Sequence, residues 1–371
     1  MSSQRLSRLA ELQQSAGMDA IALVPGANLF YFTGVHYHLS ERPIIALFPA
    51  SPKQPPALVV PAFEAGKALH GPVPIAWRVY SYLDGQEPQG CMDQAVHEMG
   101  LAGKEIGVEP TQMRVLESTM LSTGAPGVRL VPADGLIKQL RMTKDSDEIA
   151  CMRRAAKIPE RVLAEAVRRI KPGMTESQVA GIFMSVSFEQ NPQEPASPPL
   201  VQTGLSAAFP HALAGGRKVQ PGDLMVVDFG AVLEGYCSDI TRTVAISEEP
   251  NDEMKHIYEV VKQANAAGRA AVRPGLLAEE VDAAARAVIE RAGYGVYFSH
   301  RTGHGLGLEG HEAPYMVKGD TTVLQPGMTF TVEPGIYIEG KGGVRIEDDM
   351  VVTAEGGESL TSFSRDLIVA R

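Results

Sequence analysis

The sequence predicts two domains in series, an α/β domain followed by an α+β domain built from two similar halves. At 371 residues the chain exceeds the usual size of one domain. Helical and strand-like segments alternate through its first part, which is typical of helices packed on a sheet. The second part contains a weak internal repeat. We place the boundary near residue 142, which gives domains of residues 1–142 and 143–371.

The first domain is predicted to start with an amphipathic helix, LSRLAELQQSAG, that ends near Gly17. Four apolar strands are predicted next, in DAIALV, NLFYFTGV, RPIIALFPA and ALVVPA. A helix in AFEAGKALHG follows, and later a strand in EIGVEP, a helix in TQMRVLESTMLS and a strand in VRLVPA. This order indicates one sheet with helices packed against it.

The repeat in the second domain consists of a helix, a Pro-Gly turn and a second helix, followed by a strand-rich segment. Pro172 and Pro274 mark the two copies, 102 residues apart. Acidic residues occur in both strand-rich segments, which contain DLMVVDFG and GYCSDITRTVAI in the first copy and MTFTVEPGIYIEGKGGVRIEDDMVVT in the second. Two such units predict a pseudo-twofold domain whose strands meet centrally. We expect a ligand site at that junction.

Two aspartates stand inside the strand-like runs of the first copy, Asp228 and Asp239. An ionised carboxylate away from water is costly unless a partner or a metal compensates it. A hairpin turning between Leu233 and Glu234 would set the aspartates directly opposite each other, about 5 Å apart, where they would need a cation. Thr241 shares a face with Asp239 by the period of two and is a candidate hydroxyl partner beside the ligands.

The second copy repeats this arrangement with Glu333 and Glu347, whose midpoint is Gly340 in a glycine-rich turn. Between the two hairpins runs SHRTGHGLGLEGHEAP, in which glycines let the backbone around His304 and His311 approach a site closely. Each residue alone could be structural, as a turn, strand end or satisfied core group. Together, four carboxylates and an imidazole favour Mn, Co, Fe or Zn, and two ions rather than one.

The segments DFGAVLEGYCSDITRT, GHGLGLEGHEAP, TVEPGIYI and GGVRIED resemble the signatures of the creatinase/prolidase/methionine aminopeptidase ("pita-bread") metallopeptidases, across residues 145–371. NLFYFTGV and SERP resemble the creatinase/prolidase N-terminal domain, which favours the Xaa-Pro peptidase branch. The resemblance implies an α/β N-terminal domain with a mixed sheet, followed by an α+β pita-bread catalytic domain with pseudo-twofold αα-ββ repeats.

The resemblance also implies a dinuclear metal site, for which we expect manganese, with cobalt, zinc and iron as alternatives. Asp228 would bind one ion, His304 and Glu333 would bind the other, and Asp239 and Glu347 would bridge both. All five positions hold the expected residue. This complete ligand set argues against an amidinohydrolase such as creatinase, which lacks it.

Three residues carry implied catalytic roles. His211, in FPHALAGG, matches the family histidine that contacts substrate near the scissile bond. His311 matches the histidine that hydrogen-bonds the substrate carbonyl or the developing oxyanion. Glu333 is expected to take a proton from the attacking water, which two cations would activate, and to pass it to the leaving nitrogen. Arg345 is expected to hold the acidic cluster as an ion-pair partner.

The implied substrates are short peptides with proline in second position, whose tertiary amide nitrogen carries no hydrogen. Some prolidases place an arginine shortly after the HE motif to hold a dipeptide's carboxylate, but Tyr315 follows HEAP here and no arginine occurs between Arg301 and Arg345. Arg42 from a partner chain is an alternative cation, and His36 lies in the same loop. Tyr315, His36 and Arg42 are therefore candidate substrate contacts, and dipeptidase versus aminopeptidase stays open.

The composition argues against several classes of binding partner. A net charge of −10 argues against nucleic acid and anionic membranes. No run approaches the ~20 apolar residues of a membrane span, and the first residues lack the apolar core of a secretory signal. Three scattered cysteines argue against a disulfide framework, so we expect a cytoplasmic protein, and by family analogy a homodimer. A non-peptidase hydrolase or lyase on the same scaffold, and an inactive peptide-binding relative, remain alternatives.

Overall fold

The computed structural model describes residues 2–190 and 198–371. The chain divides into two compact units, residues 1–141 and 142–371. Within the described ranges, no helix is both long enough and apolar enough to cross a membrane.

The first unit is a mixed six-stranded sheet with helices, which confirms the predicted α/β class. Its strands are β1 (Ala20–Leu23), β2 (Ile45–Pro49), β3 (Ala57–Pro61), β4 (Arg78–Tyr82), β5 (Glu105–Val108) and β6 (Arg129–Pro132). Its helices are α1 (Ser2–Ser15), α2 (Ala27–Thr33), α3 (Ala65–Leu69), α4 (Gln89–Met99), α5 (Val115–Gly124) and α6 (Asp134–Met142). The strand order is β4-β3-β2-β1-β5-β6, and β2 is antiparallel to both of its neighbours while the other pairs are parallel.

One predicted strand of this unit is wrong, because NLFYFTGV forms helix α2. Its aromatic residues favour a strand by propensity alone. However, Gly34 has a φ of 66°, the left-handed conformation that ends a helix. The Thr33 hydroxyl donates to the carbonyl of Leu29, one turn earlier, at 2.7 Å. Leu29 and Phe32 are both buried at helical spacing, so tertiary packing overrides the strand propensity.

The second unit is an α+β fold. The first half contains α7 (Ser146–Arg169), α8 (Glu176–Glu189), β7 (Leu200–Thr203), a 3₁₀ turn (Gly204–Ala208), β8 (Leu224–Leu233) and β9 (Tyr236–Ile246). The second half contains α9 (Asp252–Ala271), α10 (Ala278–Arg291), a 3₁₀ turn (Gly295–Tyr297), β10 (Gly303–Gly305), β11 (Glu312–Met316), β12 (Thr329–Val332), β13 (Gly335–Ile338), β14 (Gly342–Arg345), β15 (Asp348–Val352) and β16 (Gly357–Ser359). The last strand, β17 (Ile368–Ala370), returns to pair with β9 in parallel.

The internal repeat is visible in the helices. Thr175 and Leu277, 102 residues apart, directly precede α8 and α10, and both helices are 14 residues long. In the preceding Pro-Gly turns, Gly173 and Gly275 have φ values of 88° and 84°, a conformation that suits glycine. The two halves therefore share one local design, as the sequence repeat predicts.

The strands in the described part of the second unit form three sheets. Their orders are β17-β9-β8-β7, β11-β10-β12-β15-β16, and the ribbon β13-β14. The ladders β12–β15 and β13–β14 share one register, since Val332 pairs with Asp348 and Gly335 with Arg345. Both pairs are centred on Gly340, which confirms the predicted midpoint of this hairpin.

Apolar side chains hold the β8–β9 hairpin against the helices. Phe183 of α8 and Phe229 of β8 are buried and meet edge to face, with ring centroids 5.2 Å apart. Burying a side chain of this size contributes about 1.5–3 kcal/mol. One face of the hairpin is thus fixed by the core, and the other is left for polar residues.

Candidate active site

A cavity of about 470 Å³ in the second unit brings together most of the predicted site residues. All five candidate metal ligands line it, together with His211, His311 and Arg345. Its walls are formed by Leu200, Pro210, His211, Asp228, Asp239, His300, Arg301, His304, His311, Glu333, Arg345 and Glu347.

The register of the first hairpin differs from the prediction. Asp239 pairs with Gly230, and Asp228 pairs with Thr241, so the two aspartates are diagonal neighbours rather than directly opposite. The reason is a two-residue turn, Glu234–Gly235, in which both residues have positive φ (52° and 87°). This turn moves the centre of the hairpin by one residue. Because the pairing is diagonal, both aspartates and Thr241 still share one face.

Three of the candidate ligands form a compact group of donor atoms. One donor atom each of Asp239, His304 and Glu347 lies within 4.8 Å of the other two. Burial, and then the charge of neighbouring carboxylates, raises the pKa of Asp239 and of Glu347 well above the ordinary value. Burial also raises the pKa of Glu333, to about 8. Carboxylates crowded in this way fit divalent cations, which would offset their repulsion.

The imidazole of His304, a candidate ligand, is neutral and has a free lone pair. Its Nδ1 lies 3.1 Å from the carbonyl oxygen of Gly305. A carbonyl only accepts, so Nδ1 donates and Nε2 keeps its lone pair. That Nε2 is 3.4 Å from Oε1 of Glu333. Burial, and then the nearby His311, lowers the pKa of His304 to about 3, so the imidazole stays uncharged.

The glycines on either side of His304 allow its strand to lie close to its neighbours. A Cβ atom on Gly303 would come within 1.8 Å of the Thr331 carbonyl oxygen. A Cβ atom on Gly305 would come within 2.2 Å of the Ala313 carbonyl oxygen. A side chain at either position would therefore displace the strand that carries His304.

Thr241 and Arg345 lie beside the acidic residues. The Thr241 hydroxyl donates to Oε2 of Glu347 at 2.7 Å. Arg345 donates from Nη2 to Oδ2 of Asp228 at 2.6 Å and from Nε to the Thr241 hydroxyl at 3.2 Å. The guanidinium thus lies within the acidic cluster as a buried ion-pair partner.

Sequence reasoning missed two residues that support Arg345. Arg345 Nη1 donates to the Tyr337 hydroxyl at 2.9 Å, and that hydroxyl lies 2.8 Å from Nε2 of His300. His300 Nδ1 donates to the Arg301 carbonyl at 2.7 Å, so its Nε2 accepts from Tyr337. Burial lowers the pKa of His300 to about 4, which keeps this acceptor neutral. Their only sequence signal was their place in SHRTGHG and TVEPGIYI.

A third missed residue, Gln202, holds the segment that carries His211. His211 is exposed at the cavity wall. The amide Nε2 of Gln202 donates to the carbonyls on both sides of it, at Pro210 (3.1 Å) and Ala212 (2.8 Å). Gln202 itself is fully buried. Its buried amide therefore fixes the short exposed turn that carries His211.

His311 directly precedes β11 and lies beside the metal-ligand candidates. Its ring centroid is 3.8 Å from that of His304. Arg301 Nη2 is 3.2 Å from His311 Nδ1, and the Arg301 guanidinium carbon is 4.6 Å from the Tyr315 ring centroid. Tyr315, a predicted substrate contact, therefore contacts the cavity wall indirectly, by packing against Arg301.

The residue after His311 is anchored by a buried ion pair. Lys144 Nζ is 2.6 Å from Oε1 of Glu312, and both side chains are buried. A Cβ atom on Gly307 would lie within 3 Å of both partners, so glycine leaves room for the pair. This contact fixes the backbone at the HE motif.

The other two predicted substrate contacts lie in the first unit. Arg42 donates to both carboxylate oxygens of Asp84, at 2.8 and 3.0 Å. The His36 ring is stacked on Phe30, with centroids 3.9 Å apart. Within this chain, each of the two side chains therefore has a local partner.

Both units of the chain are similar to known proteins. The model of metallopeptidase family M24 matches residues 150–354, and that of the creatinase/prolidase N-terminal domain matches residues 5–143. A dipeptidase of Pyrococcus horikoshii is 38% identical with a TM-score of 0.92, covering 98% of this chain and 99% of its own. A prolidase of Thermococcus sibiricus is 32% identical with a TM-score of 0.92, covering 100% and 99%. An Xaa-Pro dipeptidase of Bacillus anthracis is 33% identical with a TM-score of 0.89, covering 100% of both chains.

These matches span both units at full length and include the segments that line the cavity. The predicted pita-bread fold of the second unit is confirmed by the same structures. The chain belongs to metallopeptidase family M24, with a creatinase/prolidase N-terminal domain in front of its peptidase domain.

Proposed function

We propose that this peptidase uses two divalent cations, manganese first among them, to hydrolyse the bond before proline in Xaa-Pro dipeptides and at the start of short Xaa-Pro peptides. The observation that carries the proposal is the cavity itself, where five candidate acidic and imidazole ligands from both halves lie together with three further histidines. Solved relatives described as prolidase and Xaa-Pro dipeptidase support the choice of substrate.

The proposed ligands are those that the cavity groups together. Asp239, His304 and Glu347 already place donor atoms within 4.8 Å of one another. Asp228 and Glu333, on the same cavity wall, would complete the set for two ions. When bound, the cations would supply Lewis acidity and would lower the pKa of a coordinated water, so that it loses a proton more easily and becomes a better nucleophile.

Glu333 is the proposed proton carrier. Its carboxylate would accept a proton from the attacking water and hand it to the proline nitrogen as the bond breaks. The transfer is needed because the nitrogen leaves as a basic amine. A proline nitrogen differs from other peptide nitrogens in having no amide hydrogen for recognition. The backbone N–H of Glu333 donates to the Thr302 carbonyl at 2.7 Å, which holds the carboxylate at the end of β12.

His311 and His211 are proposed to bind the substrate. His311 would donate to the oxygen of the scissile carbonyl, where negative charge develops. His211, which is exposed at the cavity wall, would contact the substrate near the scissile bond. Both line the cavity with the metal ligands.

An assay of the manganese-loaded protein tests the proposal. We expect hydrolysis of Xaa-Pro dipeptides and Xaa-Pro-Yaa tripeptides, and little of Ala-Ala or of peptides that begin with methionine. His311→Ala should fold and bind metal yet lose roughly 10²–10³ in kcat, as for a lost oxyanion donor. His256→Ala, an exposed histidine on α9, is the control. Equal cleavage of Ala-Ala and Ala-Pro would overturn the proline specificity.

We further propose a homodimer that works in the cytoplasm. The three cysteines are all free thiols, which suits a reducing compartment. Exposed apolar side chains of the first unit, including Phe63, Leu69 and Val115, are candidates for the dimer interface. Size-exclusion chromatography with light scattering tests the dimer, and a monomer at micromolar concentration would contradict it.

A further inference from the structure

The cavity contains two arginines, and their surroundings differ. Arg345 is engaged by Asp228, Thr241 and Tyr337, as described above. Arg301 has no carboxylate partner among the ion pairs of the described residues. Its guanidinium instead lies between an aromatic ring and an imidazole. The two arginines therefore serve different purposes.

The contact with the imidazole determines where His311 carries its hydrogen. Arg301 Nη2 lies 3.2 Å from Nδ1 of His311. A guanidinium has only donors, so Nδ1 must be the acceptor in this hydrogen bond. A neutral His311 that accepts at Nδ1 has its hydrogen on Nε2. The second ring nitrogen is then an N–H donor.

The guanidinium is itself held in place. Its carbon lies 4.6 Å from the Tyr315 ring centroid, a cation–π distance. Tyr315 pairs with His304 across the β10–β11 ladder, and its backbone N–H donates to Oδ2 of Asp320 at 2.9 Å. The ring that supports Arg301 is thus fixed by the hairpin that carries His304.

We propose that Arg301 is a positioning residue that fixes the His311 ring in the orientation and tautomer with a hydrogen on Nε2, and that Tyr315 holds Arg301 for this purpose. The proposal rests on the proposed function, in which His311 donates an N–H to the substrate carbonyl. The tautomer that Arg301 fixes supplies that N–H. It assigns Arg301 an effect on the chemical step, exerted through His311 rather than on the substrate.

The competing arrangement is a direct contact between Arg301 and the carboxylate of a dipeptide. It makes an opposite prediction, because losing a carboxylate contact raises KM for dipeptides and spares a dipeptide amide. Losing an orienting contact lowers kcat for both substrates. A double-mutant cycle separates the two arrangements.

The cycle compares Arg301→Met, His311→Ala and the double variant on an Xaa-Pro dipeptide and its amide. We expect Arg301→Met to lower kcat roughly tenfold on both substrates, with a smaller change in KM. In the His311→Ala background the same change should have almost no further effect. Arg301→Lys, which keeps a donor, should recover part of the loss. Arg291→Met, on the exposed end of α10, is the control. An undiminished Arg301→Met effect in the His311→Ala background would overturn the proposal.

A second readout does not depend on activity. In protein labelled with ¹⁵N-histidine and loaded with diamagnetic Zn²⁺, His311 is assigned from the signals that His311→Ala removes. We expect Nδ1 without hydrogen and Nε2 with hydrogen, and a second population in Arg301→Met. A wild-type His311 with hydrogen on Nδ1 would overturn the inference. If wild type cleaved no Xaa-Pro peptide, the proposed function would fail, while the nitrogen signals would still decide the tautomer.

Discussion

Thr241 and Glu347 are joined by two hydrogen bonds that run in opposite directions. The Glu347 backbone N–H donates to the Thr241 carbonyl at 3.1 Å, and the Thr241 hydroxyl donates to Oε2 of Glu347 at 2.7 Å. Thr241 belongs to the first half of the second unit and Glu347 to the second half. The pair therefore links the two halves at the cavity and orients a candidate bridging carboxylate.

Thr241→Val tests this link. Valine has nearly the same shape but no hydroxyl, so Glu347 loses the partner that orients it. We expect divalent metal affinity to fall roughly tenfold to a hundredfold, as for other residues that orient metal ligands. Titration calorimetry with Mn²⁺ measures the change. Thr353→Val, in a turn of the same unit, should leave the affinity unchanged, and an unchanged affinity in Thr241→Val would refute the orienting role.

The proposed bridging ligands predict a pattern of metal loss. Asp239→Ala and Glu347→Ala should each lose both ions, because each would contact both. Asp228→Ala and His304→Ala should lose mainly one. Metal analysis of the purified variants gives the stoichiometry, with Asp366→Ala, an exposed carboxylate, as the control. A wild-type protein that binds no divalent metal would contradict the proposed dinuclear site.

Gln202→Met should separate activity from stability. Methionine keeps the volume but removes the donor that holds the carbonyls on both sides of His211. Losing these hydrogen bonds removes about 1–2 kcal/mol of the free energy that favours the observed orientation of this segment. We expect kcat/KM to fall roughly tenfold while metal content is unchanged. The melting temperature should barely move, because Oε1 of Gln202 is buried with no hydrogen-bond partner among the described residues and is removed as well. Gln220→Met serves as an exposed control; full activity in Gln202→Met would exclude the role.

The metal-free protein should lose stability as pH rises from about 6.5 to about 8.5. The raised pKa of Glu333, about 8, means that the folded state binds more protons than the unfolded state up to that pH. Its stabilising contribution is present at low pH and is lost as pH rises through about 8. The raised pKa values of Asp239 and Glu347 act in the same direction.

Two buried histidines oppose this trend only at lower pH. The pKa values of His304 and His300 are lowered to about 3 and about 4 from 6.5, so their contribution to the slope ends near pH 6.5. Calorimetry should show that the melting temperature of the metal-free protein decreases as pH is raised from about 6.5 to about 8.5. Added Mn²⁺ should reverse the fall, and Glu333→Gln should weaken it. A melting temperature that rises over this interval would contradict the assignment.

Arg42 makes a prediction about substrate length. The carboxylate of a dipeptide is a full charge whose burial without a cation is unfavourable. If the partner chain supplies Arg42, Arg42→Ala should raise KM for Xaa-Pro dipeptides more than for Xaa-Pro-Yaa tripeptides, and steady-state kinetics measures both. Arg78→Ala, in the same unit, is the control. A strong dipeptide preference that survives Arg42→Ala would place the carboxylate contact on another residue.

The repeat and the candidate ligands were visible in the sequence because they are local. Each copy has its own Pro-Gly turn, and the offset of 102 residues between Pro172 and Pro274 is kept by the helices that follow. The pairing register around Gly340 also follows from symmetry within one segment. Patterns of this kind need no knowledge of distant contacts.

The errors arose where a backbone conformation or a distant contact decides. Glu234 adopts positive φ, which few residues other than glycine do, and that choice shifts Asp239 opposite Gly230. The His300–Tyr337 hydrogen bond joins residues 37 positions apart on different elements. Periodicity along the chain carries no trace of such a contact.

The division of the candidate ligands between the two halves has a consequence for biosynthesis. Asp228 and Asp239 leave the ribosome more than a hundred residues before Glu347. In the proposed two-ion site neither half alone supplies all the ligands, so the aspartates of the first hairpin would lack their metal until the second half has been synthesised. Metal capture would then be among the last events of maturation.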